Sequence, residues 1–248
     1  MNKSVYNIKS IIASLVIILL AVASILLDYF YFQTNNRIWI NIGCSLLASG
    51  LVIFLQTVLV NKETVDSMQD WKLSKIYTTR MEKNKDSDPK LESILYKLDG
   101  VAFGLKTFRA KQGKVIEDCL RRGVQIRILT MDPNSPFVKQ REAEENESRG
   151  QIKKTIEDLI RWAKELNLRI ANTGDETCGR IKVRGYTCMT LDFYWRMDDE
   201  VYFGPYWKGK GSQQTVTYKF EKGGEGFSLY TDYFDELWKS SDNTRLVD

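Results

Sequence analysis

The apolar residues of this chain are concentrated near its N-terminus. Ile11 to Phe32 reads IIASLVIILLAVASILLDYFYF, with Ser14, Ser24 and Asp28 as its clearly polar members, and Ile38 to Val60 reads IWINIGCSLLASGLVIFLQTVLV. At 1.5 Å of rise per residue, each run is long enough to cross roughly 30 Å of hydrocarbon. A secretory signal has a shorter apolar core and a soluble chain after it. Here a second run follows after only Gln33-Thr34-Asn35-Asn36-Arg37. So short a connection predicts a transmembrane helical hairpin over residues 1–60, with spans at about 11–32 and 38–60 and both ends on one side of the bilayer. In the second span Asn41, Ser45, Ser49 and Gln56 recur on one helical face, flanked by Gly43, Ala48 and Gly50. Polar side chains in hydrocarbon must face other helices or water. Two readings follow: hydrogen-bonding glue between helices, or the lining of a pore that only an oligomer could enclose. Asp28 is either a carboxylate at the mouth of that pore or an interfacial residue.

Beyond Val60 the periodicity changes. Val65, Met68, Trp71, Leu73, Ile76, Tyr77 and Met81 among charges predict an amphipathic continuation, and Glu82 to Pro89 reads as a linker, so residues 61–89 form an expected stalk and linker. From Lys90 onward helices and strands alternate. Leu91–Lys97 is expected as helix, Gly100–Phe108 as a strand and its exit, and Lys114–Arg122 as a helix closed by Gly123. Val124–Met131 is a strand followed by the turn Asp132–Pro136, and Phe137–Leu166 is largely helical. Short strands are expected at Leu168–Ala171, Ile181–Tyr186, Cys188–Trp195, Val201–Gly204 and Thr215–Glu221, with a last helix at Phe227–Lys239. This order defines the fold class as α/β: residues 90–248 form a sandwich around a mixed sheet.

Composition narrows the chemistry. The 248 residues include no histidine, which excludes Ser-His-Asp and Cys-His nucleophile activation and His-ligated zinc. Lys3, Lys9 and Arg37 against Asp28 in the first sixty residues leave 33 cations and 31 anions after Val60. That near balance argues against broad binding to duplex nucleic acid and leaves room for a nucleotide or a short oligonucleotide. Cations flanking the spans (Lys3, Lys9 and Lys62, against Arg37 in the turn) place the N-terminus and the C-terminal domain in the cytoplasm. Cys44, Cys119, Cys178 and Cys188 show no Cys-x-x-Cys spacing and read as structural thiols. The run Gly204 to Gly211 mimics a phosphate loop but has Gly211 where Ser or Thr should hold magnesium. Asp198-Asp199-Glu200 reads as a solvated turn rather than a metal site, and no cofactor is expected.

Two stretches carry a family resemblance. Arg122 to Pro136 (RGVQIRILTMDPNSP) and Tyr194 to Tyr206 (YWRMDDEVYFGPY) resemble parts of a phospholipase D-like unit. An active member carries His-x-Lys, an Asp five residues on, and Gly-Ser. Counting back from Asp198, the histidine position falls near Leu191 and the lysine near Phe193, and Gly204 is followed by Pro205. The resemblance is therefore to a degenerate unit in which Asp198 and Gly204 remain as fold elements without the nucleophile. Such a unit implies an anion-binding cleft at the strand ends. The candidate ligand residues are Lys106, Thr107, Arg109, Asp132, Asn134, Arg141, Arg184, Tyr194, Arg196, Tyr206 and Lys208, with Trp207 beside them. Guanidinium groups suit phosphate and aromatic rings suit bases; solvated surface charge or core packing is the plain alternative for each. Two spans, a stalk and a sensor domain look like membrane effectors of bacterial antiphage defence, and more narrowly like the channel component of Hailong-type systems. That resemblance implies a homo-oligomer (a tetramer), a short single-stranded DNA ligand, a neighbouring nucleotidyltransferase and the bacterial inner membrane. A membrane-tethered phosphate-ester enzyme using a pair such as Asp132 with Asp198, and a passive anchor recruiting a partner protein, are the alternatives.

Overall fold

The computed structural model describes residues 8–32, 38–189 and 192–247. Lys3, the turn Gln33–Arg37 and Leu191 lie outside the described residues. The chain divides into two units, Met1–Asp70 and Trp71–Asp248.

The first unit contains α1 (Ile8–Leu27), which ends in a π-helical turn at Asp28–Phe32, and most of α2 (Ile38–Trp71). Ile11–Phe30 and Ile38–Thr57 are long and apolar enough to cross a membrane. Glycines let the two helices touch. A Cβ on Gly43 would lie 2.5 Å from Ile25 Cγ1 and 2.9 Å from the Ala21 carbonyl oxygen, and one on Gly50 would lie 2.8 Å from Ile18 Cγ1. On α1, Ser14, Ala21, Ser24 and Asp28 are all buried. The Ser14 hydroxyl donates to the Ile11 carbonyl at 2.8 Å, and that of Ser24 to the Trp39 carbonyl of the facing helix at 2.9 Å.

The second unit is built on one eight-stranded sheet of order β1-β7-β6-β5-β2-β3-β4-β8. Its strands are β1 (Leu73–Tyr77), β2 (Lys97–Val101), β3 (Gln125–Met131), β4 (Ile181–Tyr186), β5 (Phe193–Met197), β6 (Glu200–Gly204), β7 (Thr217–Glu221) and β8 (Thr244–Leu246). β2, β3 and β4 are parallel, and the other pairings are antiparallel. The helices are α3 (Arg80–Ser87), α4 (Lys106–Arg121), α5 (Pro136–Glu144), α6 (Gln151–Ala171) and α7 (Glu225–Lys239). One core cluster gathers Leu98, Ile126, Ile128, Val183 and Trp195 with Ile116 and Leu120 of α4 and Leu159, Ala163 and Leu166 of α6. The other gathers Val101, Leu129, Met131, Tyr194 and Val201 with Phe227 and Phe234 of α7. The α/β class and mixed sheet are as the sequence implies. Gly204 follows from packing, since a Cβ there would lie 2.2 Å from the Val216 carbonyl oxygen.

Several expected elements are corrected. The stalk is not helical throughout: α2 stops at Trp71, and Leu73–Tyr77 is an edge strand paired with β7. Glu82–Pro89 is no linker, because Thr79 caps α3 by accepting the Glu82 N–H at 3.2 Å and Arg80 and Lys83 are buried. Leu91–Lys97 ends as 3-10 turn and strand start, the strand expected from Gly100 is β2 at Lys97–Val101, and α4 begins already at Lys106. Leu168–Ala171 is the last turn of α6 and not a strand, because Leu166 and Ile170 continue its buried stripe. The expected 137–166 helix is two helices. Glu142 folds back to accept N–H bonds from Gly150, Ile152 and Lys153 at 2.9, 3.0 and 3.3 Å, which caps α6 separately.

Buried charge pins the sheet centre. Arg127 of β3 grips Asp99 of β2 through two bonds of 2.7 and 2.8 Å and reaches Asp235 of α7 at 2.7 Å. Asp99 is fully buried. Burial alone would depress the Arg127 guanidinium, but the bonds and charges of Asp99 and Asp235 outweigh it and raise its pKa. Breaking a buried pair costs about 3–5 kcal/mol, an upper bound here because Arg127 would keep Asp235. Asp99→Ala is therefore expected to lower unfolding stability by up to that order in detergent-solubilised protein, read by denaturant titration. The double replacement Asp99→Leu with Arg127→Met should cost less.

Candidate ligand site

The parallel strands end at Val101, Met131 and Tyr186, and the chain leaving β2 turns sharply there. A Cβ on Gly104 would lie 2.4 Å from the Thr155 backbone, so this turn is pressed against α6. Leu105, at φ +49°, then starts α4 without a side-chain cap. The result is a groove of about 420 Å³ between the N-terminal halves of α4 and α6, lined by Lys106, Arg109, Ala110, Gln151, Lys154, Thr155, Asp158 and Trp162. Three cations face one carboxylate, and Asp158 is also 3.5 Å from Arg161. Arg109 is held by backbone oxygens, those of Gly104 at 2.9 Å and Asp158 at 3.5 Å. Burial lowers its pKa, opposed by the Asp158 charge. A guanidinium held in place, two exposed ammonium groups and an indole suit a phosphate with an attached base.

A second cluster sits where α3, α5 and the loop after β6 meet. Phe137, Gln140, Arg141, Glu144, Met189, Asp192 and Tyr206 line a cavity of about 200 Å³. The Arg80 and Arg141 guanidinium carbons lie 4.8 and 4.9 Å from the Tyr206 ring centroid. Arg141 is paired with Glu144 at 3.3 Å and with Glu145. Arg80 bonds neutral oxygens, Thr215 Oγ1 at 3.0 Å and the Pro205 carbonyl at 3.5 Å, and lies 3.9 Å from the Phe193 centroid. The buried Lys83 ammonium lies 5.0, 5.5 and 5.7 Å from the rings of Tyr202, Phe193 and Trp195. Burial raises the Asp192 carboxyl above its usual range, against the Tyr206 backbone bond and the Arg80 charge.

The structure divides the sequence-derived candidates. Lys106 and Arg109 share the groove, with Thr107 exposed on the next residue. Arg141 and Tyr206 share the second cavity. Asp132 accepts the Asn134 N–H at 2.9 Å and pairs with Arg245 at 2.5 Å, while Asn134 accepts from Lys153 at 3.1 Å. Arg184 ties α7 to β8 through the Trp238 carbonyl and Thr244 Oγ1. Tyr194 is buried against Phe234, with ring centroids 5.0 Å apart. Lys208 and Trp207 are exposed in a loop. Arg196 lies opposite Asp99 in the register, near the start of β2. Asp198 accepts N–H bonds from Leu95, Tyr96 and Lys97 at 2.7, 3.0 and 2.9 Å at that same end of the sheet. Asp132 follows the far end of β3, about 20 Å away at strand rise. The acid/base pair of Asp132 with Asp198 is therefore not assembled. Lys154, Gln151 and Trp162 escaped sequence reading because they sit on an ordinary amphipathic helix; Arg80 and Lys83 escaped it because they lie in a stretch that reads as linker.

No protein-family model matches the chain, and no curated protein matches it. Among solved structures it is similar to TrmBL2, an archaeal chromatin protein, at 14% identity over 86% of this chain and 67% of that one, with a TM-score of 0.41. It is similar to phosphatidylserine synthase of Haemophilus influenzae Rd KW20 at 11% identity and TM-score 0.42, over 65% of this chain but 36% of that one. NucT from Helicobacter pylori matches at 10% identity over 67% of this chain and 95% of that one, with a TM-score of 0.37. Likeness at this level assigns neither a family nor an activity. The class stands on the chain's own topology: two long apolar helices and an α/β unit with a mixed eight-stranded sheet.

Burial holds the Lys83 ammonium down at about 7, reinforced by Arg80 and opposed by Asp88. An unfolded lysine titrates near 10.4. Between those values the unfolded chain binds the extra proton, so this group makes folding more favourable as pH rises through the window. The contribution is about 1.4 kcal/mol per pH unit at most. Lys83→Met is expected to flatten the stability-versus-pH curve between pH 7 and 10 relative to the parent protein, as read by chemical denaturation at each pH.

Proposed function

We propose that this chain is a membrane effector of bacterial antiphage defence. In this reading its apolar helices span the inner membrane and form a homo-oligomeric ion channel or pore, with a tetramer favoured. The degenerate phospholipase D-like domain lies in the cytoplasm and gates that pore by binding a nucleotide or a short single-stranded oligonucleotide supplied by a neighbouring nucleotidyltransferase. The observation that carries the ligand is the α4/α6 groove, where Lys106, Arg109 and Lys154 surround a cavity of about 420 Å³ walled by Trp162. Three cations against Asp158 favour a phosphate backbone, and the indole offers a stacking face that tolerates any base. The membrane role is supported by the two long apolar helices, and the defence role by the resemblance of the architecture. A ligand shifts a channel only through unequal affinity for its states, so binding and gating are separate measurements.

The test uses the full-length protein in liposomes with a fluorescently labelled short oligothymidylate as the probe. The expected result is saturable binding that weakens about 10-fold or more in Lys106→Ala/Arg109→Ala/Lys154→Ala. The salt slope should fall by roughly 0.7 for each phosphate that the variant no longer neutralises. Trp162→Ala should cost about 1–3 kcal/mol if one base stacks on it. Ion flux that changes on addition of the probe supports gating. Tight binding unaffected by the triple replacement would place the ligand elsewhere, and flux indifferent to every nucleotide probe would remove the channel reading.

A further inference from the structure

The two helices of the hairpin present unlike faces. On α1 the polar members of the span, Ser14, Ser24 and Asp28, are all buried, and the exposed positions Leu15, Val16, Leu19, Leu20, Val22 and Leu26 are aliphatic. On α2 the side turned to α1 holds Gly43 and Gly50, both buried and both in contact with α1. Asn41, Ser45, Ser49 and Gln56 are all exposed. At about 100° per residue this stripe lies more than a quarter turn from the two glycines, so α1 does not cover it. Bonding within the hairpin is thereby removed as its explanation.

We propose that copies of this chain associate through α2, with the Asn41/Ser45/Ser49/Gln56 stripe facing the neighbouring copies and α1 facing lipid. The inference rests on the membrane reading above and adds which helix faces the subunit axis. Ser49 needs a partner least, because its hydroxyl already donates to the Ser45 carbonyl at 2.9 Å. Asn41 and Gln56, near the two ends of the Ile38–Thr57 span, need one most, since an amide has two donors and an acceptor to satisfy. The stripe carries no charge that would select an oppositely charged partner. An amide both donates and accepts, so the same residue repeated around a symmetry axis pairs with itself. The occupant that fits is therefore a second copy of this chain. Asn41 and Gln56 would form two amide rings about 22 Å apart along the axis. Between them Ser45, Ala48 and Ser49 are small enough for helix backbones to approach closely.

The test is disulfide cross-linking of the full-length chain in isolated membranes, in a background with Cys44, Cys178 and Cys188 replaced by serine. Single cysteines are introduced as Ser45→Cys, Ser49→Cys, Leu15→Cys and Leu19→Cys, and each variant is oxidised without added ligand. Cross-linked dimer at positions 45 and 49, and none at 15 and 19, is the expected result. Asn41→Leu with Gln56→Leu should then reduce the dimer band at position 49. Cross-linking on the α1 face, no cross-linking on either face of membrane-extracted protein, adducts to a different protein, or a band unmoved by the double replacement would overturn the proposal. Intact α2 cross-links in a protein without ion flux would count against the channel reading alone.

Discussion

A polar group taken out of water must find a partner, and most of the architecture follows from how each one is found. In the α/β unit Arg127 cannot lie in the centre of the sheet unless Asp99 stands beside it on β2 and Asp235 descends from α7. That requirement fixes which strands are neighbours and where α7 crosses them. Asp198 meets the same need at one end of the sheet by collecting three backbone N–H groups from 95–97. Glu142 does so for the start of α6. Arg80 and Lys83 solve it differently. The Arg80 charge lies against the Phe193 face, an attraction that strengthens when water is excluded, whereas burial makes Lys83, beside Phe193 and Tyr202, give up its proton near neutrality.

The same constraint governs residues 71 and 72, where the second unit begins. One residue, Lys72 at φ +46°, separates the last residue of α2 from β1. Its carbonyl accepts the Glu221 N–H at 3.1 Å, its ammonium donates to the Lys222 carbonyl at 3.0 Å, and the Trp71 and Phe220 rings lie 6.0 Å apart. These contacts tie residues 71 and 72 to the β7–α7 turn, and β1 then leads to Arg80 and Lys83 of α3. What reads in the sequence as stalk and linker is, from Trp71 onward, bonded to the second unit. Residues 71–88 consequently belong to the folded unit that carries the candidate ligand site.

How much of this was legible in the sequence depends on the range of the interactions involved. The apolar runs, the strands at 125–131, 181–186, 200–204 and 217–221 and the last helix follow from local periodicity, and the structure has them nearly where the pattern puts them. The misread segments depend on partners far away in the chain. Leu73–Tyr77 has no strand-like alternation and becomes a strand because β7 supplies its hydrogen bonds. Thr244–Leu246 is too short to read as anything until β4 lies beside it. The site behaves likewise. Lys106 and Arg109 could be singled out from their position after the first strand, but Lys154 and Trp162, some fifty residues on, join them only through the packing of α4 on α6. Arg184, Tyr194 and Arg196 have the right chemistry and belong to α7 packing instead.

The charge pattern gains meaning when placed on this fold. Over the whole chain cations barely exceed anions, 36 to 32. The groove nevertheless concentrates Lys106, Arg109 and Lys154 around a single carboxylate, while acidic residues elsewhere are spent on Arg127, Arg141 and Lys219. A local excess of about two charges attracts a ligand over roughly one Debye length, 8–10 Å at ordinary salt. That range covers one or two phosphates of a strand. An excess confined to one groove suits a small or short anion better than a long polyanion, most of whose charges would lie beyond that range.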